Sequence, residues 1–384
     1  MTACKDIFNK IDELYEHYVK VWEDVCNIES PTNYKAGVDA VGKYISDIAA
    51  KRGWEIEVFE QPVSGDVVCI TMNPSSPLAP ISLSGHTDTV HPVGSFGSIP
   101  TKRDETKIYG PGVTDCKGGV VAALLAMDAL HESGFTSRPV QLLLQSDEEN
   151  GSQFSNKETI SYICEKAKNS VAFLNLERMA RGKACLIRKG ILNYEFKITG
   201  KEAHAANCAT EGANAIAEAA HKILELEKLK DKDGITCSCG IISGGSASNT
   251  VPLSCTFKAN IRFATQKQLE WVTNHVQEIA DTVYVNGCSC ELTLLSKRVA
   301  MELCDRNIEL LEKMNSIFEQ NGFSRLEIGS RNGGSDAADV TEYGIPCIDS
   351  IGVMGEKLHS IDEYAELQSL AESAKRMAAV ICCI

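Results

Sequence analysis

"KGGVVAALLAMDALHESG", residues 117–134, carries apolar side chains almost all round a helical projection. A helix of that kind has no face to offer water and has to be buried. The segments that bury it are short apolar runs: "PISLSG" at 80–85, "PVQLLLQS" at 139–146, "VAFLNLE" at 171–177 and "IPCIDSIG" at 345–352. Runs of this length, apolar on both faces, suit parallel strands covered by helices. Residues 5–28 and 34–52 read as amphipathic helices, with strands around 55–60 and 66–72 and a further helix at 305–321. The outer parts of the chain therefore predict an α/β fold, with a mixed, largely parallel sheet and helices on both faces.

The middle follows another period. "ILNYEFKITG" at 191–200 alternates Leu192, Tyr194, Phe196 and Ile198 with polar residues, the pattern of a strand with one wet face. A helix is expected at 212–229, a strand near 235–243, and a strand in "SCTFKANIRF". A helix at 266–283 and a strand in "CELTLLS" complete the series. The order β-α-β-β-α-β is ferredoxin-like. It divides the chain into a first segment, 1–188, an inserted domain, 189–298, and a returning segment, 299–384. At 384 residues two domains are the starting expectation.

Bulk properties exclude some functions. The net charge of −14, without clustered Lys and Arg, argues against a nucleic-acid partner. No stretch has the apolar length to span a bilayer, and no apolar leader follows "MTACKDIFNKIDELYEHY", so the reading is cytoplasmic and not membrane-bound. The 16 cysteines include no C-x-x-C pair and are read as reduced. Cys237/Cys239 and Cys288/Cys290 each read as small buried side chains on one face of a strand.

Each of the four apolar runs leads into residues able to bind metal. The first leads to His86 and Asp88, the second to Asp147, Glu148 and Glu149, the third to Glu177, and the fourth is followed by His359 in "GEKLHS". Crevices beyond the carboxyl ends of such strands are where sites form. "IYGPGVTDCKGG" adds Asp115 in a glycine-bound loop. Singly, each has a plainer account. Asp115 caps a helix, "DEEN" is a solvated acidic loop, and Glu177 pairs with Arg178 or Arg188. His91 stands close by but has no carboxylate two residues on. Their coincidence at strand ends favours a metal centre, and two histidines with three carboxylates suit zinc, or manganese or cobalt. Neighbouring residues of an extended loop point opposite ways, so Glu148 and Glu149 are expected to serve different roles.

The motifs "GHTDTV", "GPGVTDCKGG", "SDEENGS", "NLE", "GKEAHAA", "NTVP", "GGSDAA" and "LHSIDEY" run from about residue 80 to 363. In that order they resemble the zinc-dependent family of glutamate carboxypeptidase, acetylornithine deacetylase, succinyl-diaminopimelate desuccinylase and the aminoacylases, the glutamate carboxypeptidase branch most. The resemblance implies two zinc ions, with cobalt or manganese as substitutes. His86 and Glu177 would hold one, Glu149 and His359 the other, and Asp115 would bridge them, with a cis peptide between Asp115 and Cys116. Asp88 would orient His86 from behind, and Glu148 would be the general base. His204 would stabilise the oxyanion, although on its own it reads as an exposed loop histidine. Arg262 would grip a substrate carboxylate, although a surface arginine on a strand looks the same. Asn249 and the glycine-rich turn at Gly334 and Ser335 would add substrate contacts, and the inserted domain would act as a lid and pair two chains into a homodimer.

The implied activity is cleavage of a peptide or amide bond in a small peptide or N-acyl amino acid with a free carboxylate. Deacylation or desuccinylation in amino-acid biosynthesis is the nearer alternative. A non-catalytic metal- or peptide-binding relative is the further one, and retention of Glu148 beside five ligands argues against it.

Overall fold

The computed structural model describes residues 2–231 and 234–384. The chain forms two compact units, Met1–Leu186 with Leu303–Ser330 and Ser335–Ile384, and Ile187–Glu302 with Arg331–Gly334.

The first unit is built on a six-stranded sheet. Its order is Glu55–Phe59, Val67–Met72, Val140–Gln145, Ile81–His86, Ala172–Asn175 and Cys347–Ile348. The first two junctions are antiparallel and the last three parallel. One register row, Ile56, Ile70, Leu142, Leu83, Leu174 and Ile348, crosses all six strands. Every residue of the strands Ile81–His86 and Ala172–Asn175 is buried, so both faces of the sheet centre are covered. The helix Lys117–Glu132 is buried from Lys117 through Leu130, as its composition demands, and packs with the helices Thr2–Asn27 and Leu367–Cys383. Its one internal carboxylate, Asp128, accepts hydrogen bonds from Tyr18 and Arg52. No helix among the described residues is long and apolar enough to cross a membrane.

The fourth apolar run makes a shorter strand than its composition suggests, Cys347–Ile348 alone. At Asp349 the backbone leaves the ladder to pair with Cys185, and Ser350 takes a positive φ of 63°. His359 accordingly does not extend from that strand. It sits in a loop between Gly355–Glu356 and Tyr364–Glu366, which pair with each other in a small antiparallel sheet. Tyr364–Glu366 also pairs with Lys107–Tyr109, the strand that leads into the loop of Asp115.

The second unit carries four antiparallel strands in the order Thr236–Gly244, Ser254–Phe263, Gly190–Thr199 and Ser289–Arg298. With the helices Ala215–Glu227 and Gln266–Asp281 this is the ferredoxin-like arrangement. Leu192, Tyr194, Phe196 and Ile198 meet Phe257, Ala259, Ile261 and Phe263 in its core. The paired rings of Phe196 and Phe257 stack at 4.6 Å. Asn214 and Thr265 cap the two helices by accepting from backbone amides. The cysteine pairs are less regular than their spacing suggests: Cys288 is buried ahead of its strand, and Cys239 and Cys290 are only half-buried.

Candidate metal centre

His86 closes the strand Ile81–His86, and its imidazole is 2 % exposed. Its Nε2 lies 3.0 Å from Asp115 Oδ1 and 3.7 Å from Glu177 Oε1. The other oxygen of Asp115, Oδ2, lies 3.2 Å from Nε2 of His359, which is also 3.3 Å from Glu149 Oε2. Asp115 thus offers one oxygen to each imidazole, with Glu177 on one side and Glu149 on the other. Two groups draw their donor atoms within 4.8 Å of one another: His86 with Asp115 and Glu149, and His86 with Glu148 and Glu177. Glu148 therefore stands within ligand reach as well, and distance alone does not separate it from the ligands. His359 differs from the rest in being 56 % exposed.

The loop holding Asp115 is shaped by close backbone approach. The peptide bond between Asp115 and Cys116 is cis. Gly112 has a φ of 70°, and a Cβ on Gly119 would fall 2.1 Å from the carbonyl oxygen of Leu176, next to Glu177. Asp115 does not cap the following helix: the cap position is Cys116, with no side-chain hydrogen bond.

Asp88 does more than orient His86. The imidazole Nδ1 is 3.0 Å from the Asp88 carbonyl oxygen and 3.3 Å from its Oδ1. The carboxylate also accepts from the backbone amides of Glu148 and Glu149 at 3.2 and 3.1 Å, and from the Thr32 hydroxyl at 2.7 Å. It therefore ties the strand end to the acidic segment. That segment is a turn and not the extended loop the sequence suggests, because Gly151 N–H donates to the Glu148 carbonyl and Ser152 N–H to that of Asp147. Asp147 is wholly buried and accepts from Ser155 N–H and the Thr159 hydroxyl, which shapes the turn from within.

Electrostatics call for positive charge here. Burial and the nearby Asp115 charge push the Glu149 carboxyl up to about 8. Hydrogen bonds donated to the Asp115 and Glu149 carboxylates push the His359 imidazole up to about 11. Burial disfavours a charged His86, yet Cys116, Asp115 and Asp88 outweigh it and raise that ring well above its ordinary value. A proton on either imidazole is one source of that positive charge. A divalent cation supplies it better, because it uses the imidazole lone pairs and the carboxylates together, and this nitrogen and oxygen donor set suits zinc, manganese or cobalt. The residues fit a metal.

Among the other predicted site residues, His204 lies in a two-residue strand paired with Thr250–Val251, exposed, its Nδ1 accepting from Ala206 N–H at 3.1 Å. Asn249 neighbours it, its carbonyl accepting from Ala205 N–H at 2.9 Å. Arg262 is half-buried and donates to the Asn332 carbonyl. All three belong to the second unit. The Gly334 carbonyl accepts from Arg188. Ser335 is buried, caps the helix Asp336–Glu342 and accepts from Asn175 Nδ2 at 2.9 Å, so its hydroxyl is committed within the first unit.

A family model for the peptidases M20/M25/M40 matches residues 82–382. The chain belongs to this family. Carboxypeptidase G2 of Pseudomonas sp. (strain RS-16) is 28 % identical over 92 % of this chain and 85 % of its own. The succinyl-diaminopimelate desuccinylase of Rickettsia felis is 24 % identical over 92 % of this chain and 96 % of its own. The aminopeptidase PepT of Bacillus cereus has the same fold, with a TM-score of 0.78 at 20 % identity, covering 96 % of this chain and 98 % of that one. As an M20 peptidase the chain is a metallohydrolase of peptide or amide bonds.

One buried residue escaped sequence reasoning. Glu363, 1 % exposed, accepts from the backbone amides of Gly112, Thr114 and Asp115 at 3.2, 2.9 and 3.1 Å. Its other neighbour is His91, with Nε2 at 3.4 Å, so His91 faces this support and not the cluster of donors. Three amides on one carboxylate fix the loop that carries Asp115. Glu363→Gln puts an NH2 where an acceptor is needed, and the expected result is roughly a 10–100-fold loss of metal affinity, the range found for outer supports of metal ligands. Competition against a chelator measures it, and unchanged affinity would remove the positioning role.

Proposed function

We propose that this M20 peptidase is a di-zinc hydrolase, related in action to carboxypeptidase G2, that cleaves a small peptide or N-acyl amino acid bearing a free carboxylate. The observation that carries the reading is the split of donors about Asp115, with His86 and Glu177 on one side and His359 and Glu149 on the other. These residues would hold a pair of divalent ions, which would supply polarisation of the scissile carbonyl and a lowered pKa for an attacking water. Glu148 takes the proton from that water and delivers it to the leaving nitrogen. Asp88, through both backbone amides of the acidic turn and through His86, keeps base and ligands in register.

His204 is assigned to the oxyanion, and Arg262 with Asn249 to the substrate carboxylate. Ser335 and Gly334 act through the backbone of their turn. The second unit pairs two chains into a homodimer. In support, its outer strand Thr236–Gly244 has one neighbour among the described residues and exposes Ile241 and Ile242, a sheet edge of the kind that another strand can extend. Deacylation or desuccinylation of N-acyl amino acids uses the same machinery and differs in the acyl group accepted.

Zinc titration of chelator-stripped protein is expected to restore activity with saturation at two ions per chain, on a panel of dipeptides and N-acetyl amino acids. Saturation at one ion counts against the paired centre. Full zinc loading with no release from any substrate favours a binding protein.

A further inference from the structure

Of the 16 cysteines two are exposed, Cys208 and Cys383. The sulfur of Cys383 lies 3.7 Å from that of Cys4, a residue 379 positions away. Cys4 stands near the start of the helix Thr2–Asn27 and Cys383 closes the helix Leu367–Cys383, and these helices pack together within the first unit. Cys382, half-buried, adjoins Cys383 in sequence. Three thiols thus gather where two helix ends meet, and none of them belongs to the donor groups about Asp115. Packing accounts for Cys4, which is 6 % exposed, since a buried thiol behaves as a small apolar side chain. It does not account for Cys383, whose thiol faces solvent with a second sulfur beside it.

We propose that Cys383 and Cys4 form a thiol–disulfide exchange site that takes a small-molecule disulfide and ends as a reversible bond between the two helices. Cys383 attacks first, because exchange needs an accessible thiolate. Burial pushes the Cys4 thiol up to about 11, which suits it to the second step. The Cys383 thiolate, its proton lost to water, attacks one sulfur of the small disulfide, whose S–S bond breaks and releases one thiolate. Cys4 then gives its proton to water, and its sulfur attacks that of Cys383 and displaces the second thiolate. Two protein thiols are oxidised to one disulfide, and one small disulfide is reduced to two thiols. The bond brings the sulfurs from 3.7 Å to about 2.0 Å. Both helices also pack with the helix Lys117–Glu132, so the bond fastens a group of three helices that share one core.

The test treats the full chain, freed of reductant, with oxidised glutathione and reads intact mass and an unreduced peptide map. The wild type is expected to lose two hydrogens, to yield a Cys4–Cys383 link, and to hold glutathione at Cys208, the other exposed thiol. Cys4→Ser removes the resolving sulfur, so glutathione is expected to stay on Cys383 as well, giving about two adducts per chain in place of one. Cys383→Ser, at an exposed position, is expected to show the Cys208 adduct and no link, and it carries the test if Cys4→Ser does not fold. The oxidised wild type is expected to unfold several degrees above its reduced form, because a link across so long a loop restrains the unfolded chain. Dithiothreitol is expected to reverse both changes, and Cys383→Ser to show neither. A wild type that keeps glutathione on Cys383 as fully as on Cys208, or does not react at Cys383, overturns the proposal. A link from Cys382 to either Cys4 or Cys383 overturns it too.

Discussion

Glu148→Gln is expected to lower turnover by roughly two to four orders of magnitude, the usual worth of a positioned acid–base group, while both metal ions stay bound. The substitution keeps the volume and the backbone, and it leaves the Glu148 amide free to donate to Asp88 as before. What it removes is a group able to take a proton from water and return it to nitrogen. Glu149→Gln is the necessary contrast. Its Oε2 faces His359 at 3.3 Å on the outer side of Asp115, so the expected loss is of metal occupancy first and of activity as a consequence. Elemental analysis of both variants beside their kcat separates the roles. Because Glu148 also lies within ligand reach of His86 and Glu177, equal loss of metal in the two would show that Glu148 is a ligand and that the base is another group.

How far such roles were legible depends on whether the cause is local. The helix Lys117–Glu132 was, because an all-round apolar surface leaves one solution. The second unit was, because alternation over ten residues, as in Gly190–Thr199, fixes a face. His86, Glu149 and Glu177 follow strands, and the strand end was visible in the run of apolar residues. The placing of the turn at Glu148 was not, since beside its own local bonds it is tied to Asp88, a residue 60 positions away. Glu363 was hidden for the same reason on a larger scale. Only the pairing of Tyr364–Glu366 with Lys107–Tyr109 brings it beneath Asp115, 248 positions away.

The other large effect concerns assembly. His204→Ala and Glu148→Gln are each expected to be nearly inactive alone, and to recover activity when mixed under conditions that allow subunits to exchange. The ligands and Glu148 belong to the first unit and His204 to the second. On the proposed homodimer a site combines the first unit of one chain with His204 of its partner. A mixed dimer then holds one site with both residues intact and one that lacks both. Random pairing of equal amounts makes half of all dimers mixed, so the expected recovery is about a quarter of the wild-type rate. Ile241 and Ile242, exposed on the outer strand of the second unit, give an independent handle on the same assembly. Charged residues at both positions are expected to shift the protein toward monomer in sedimentation and to abolish the recovery. Recovery absent despite demonstrated exchange would place His204 at the site of its own chain, or outside catalysis altogether.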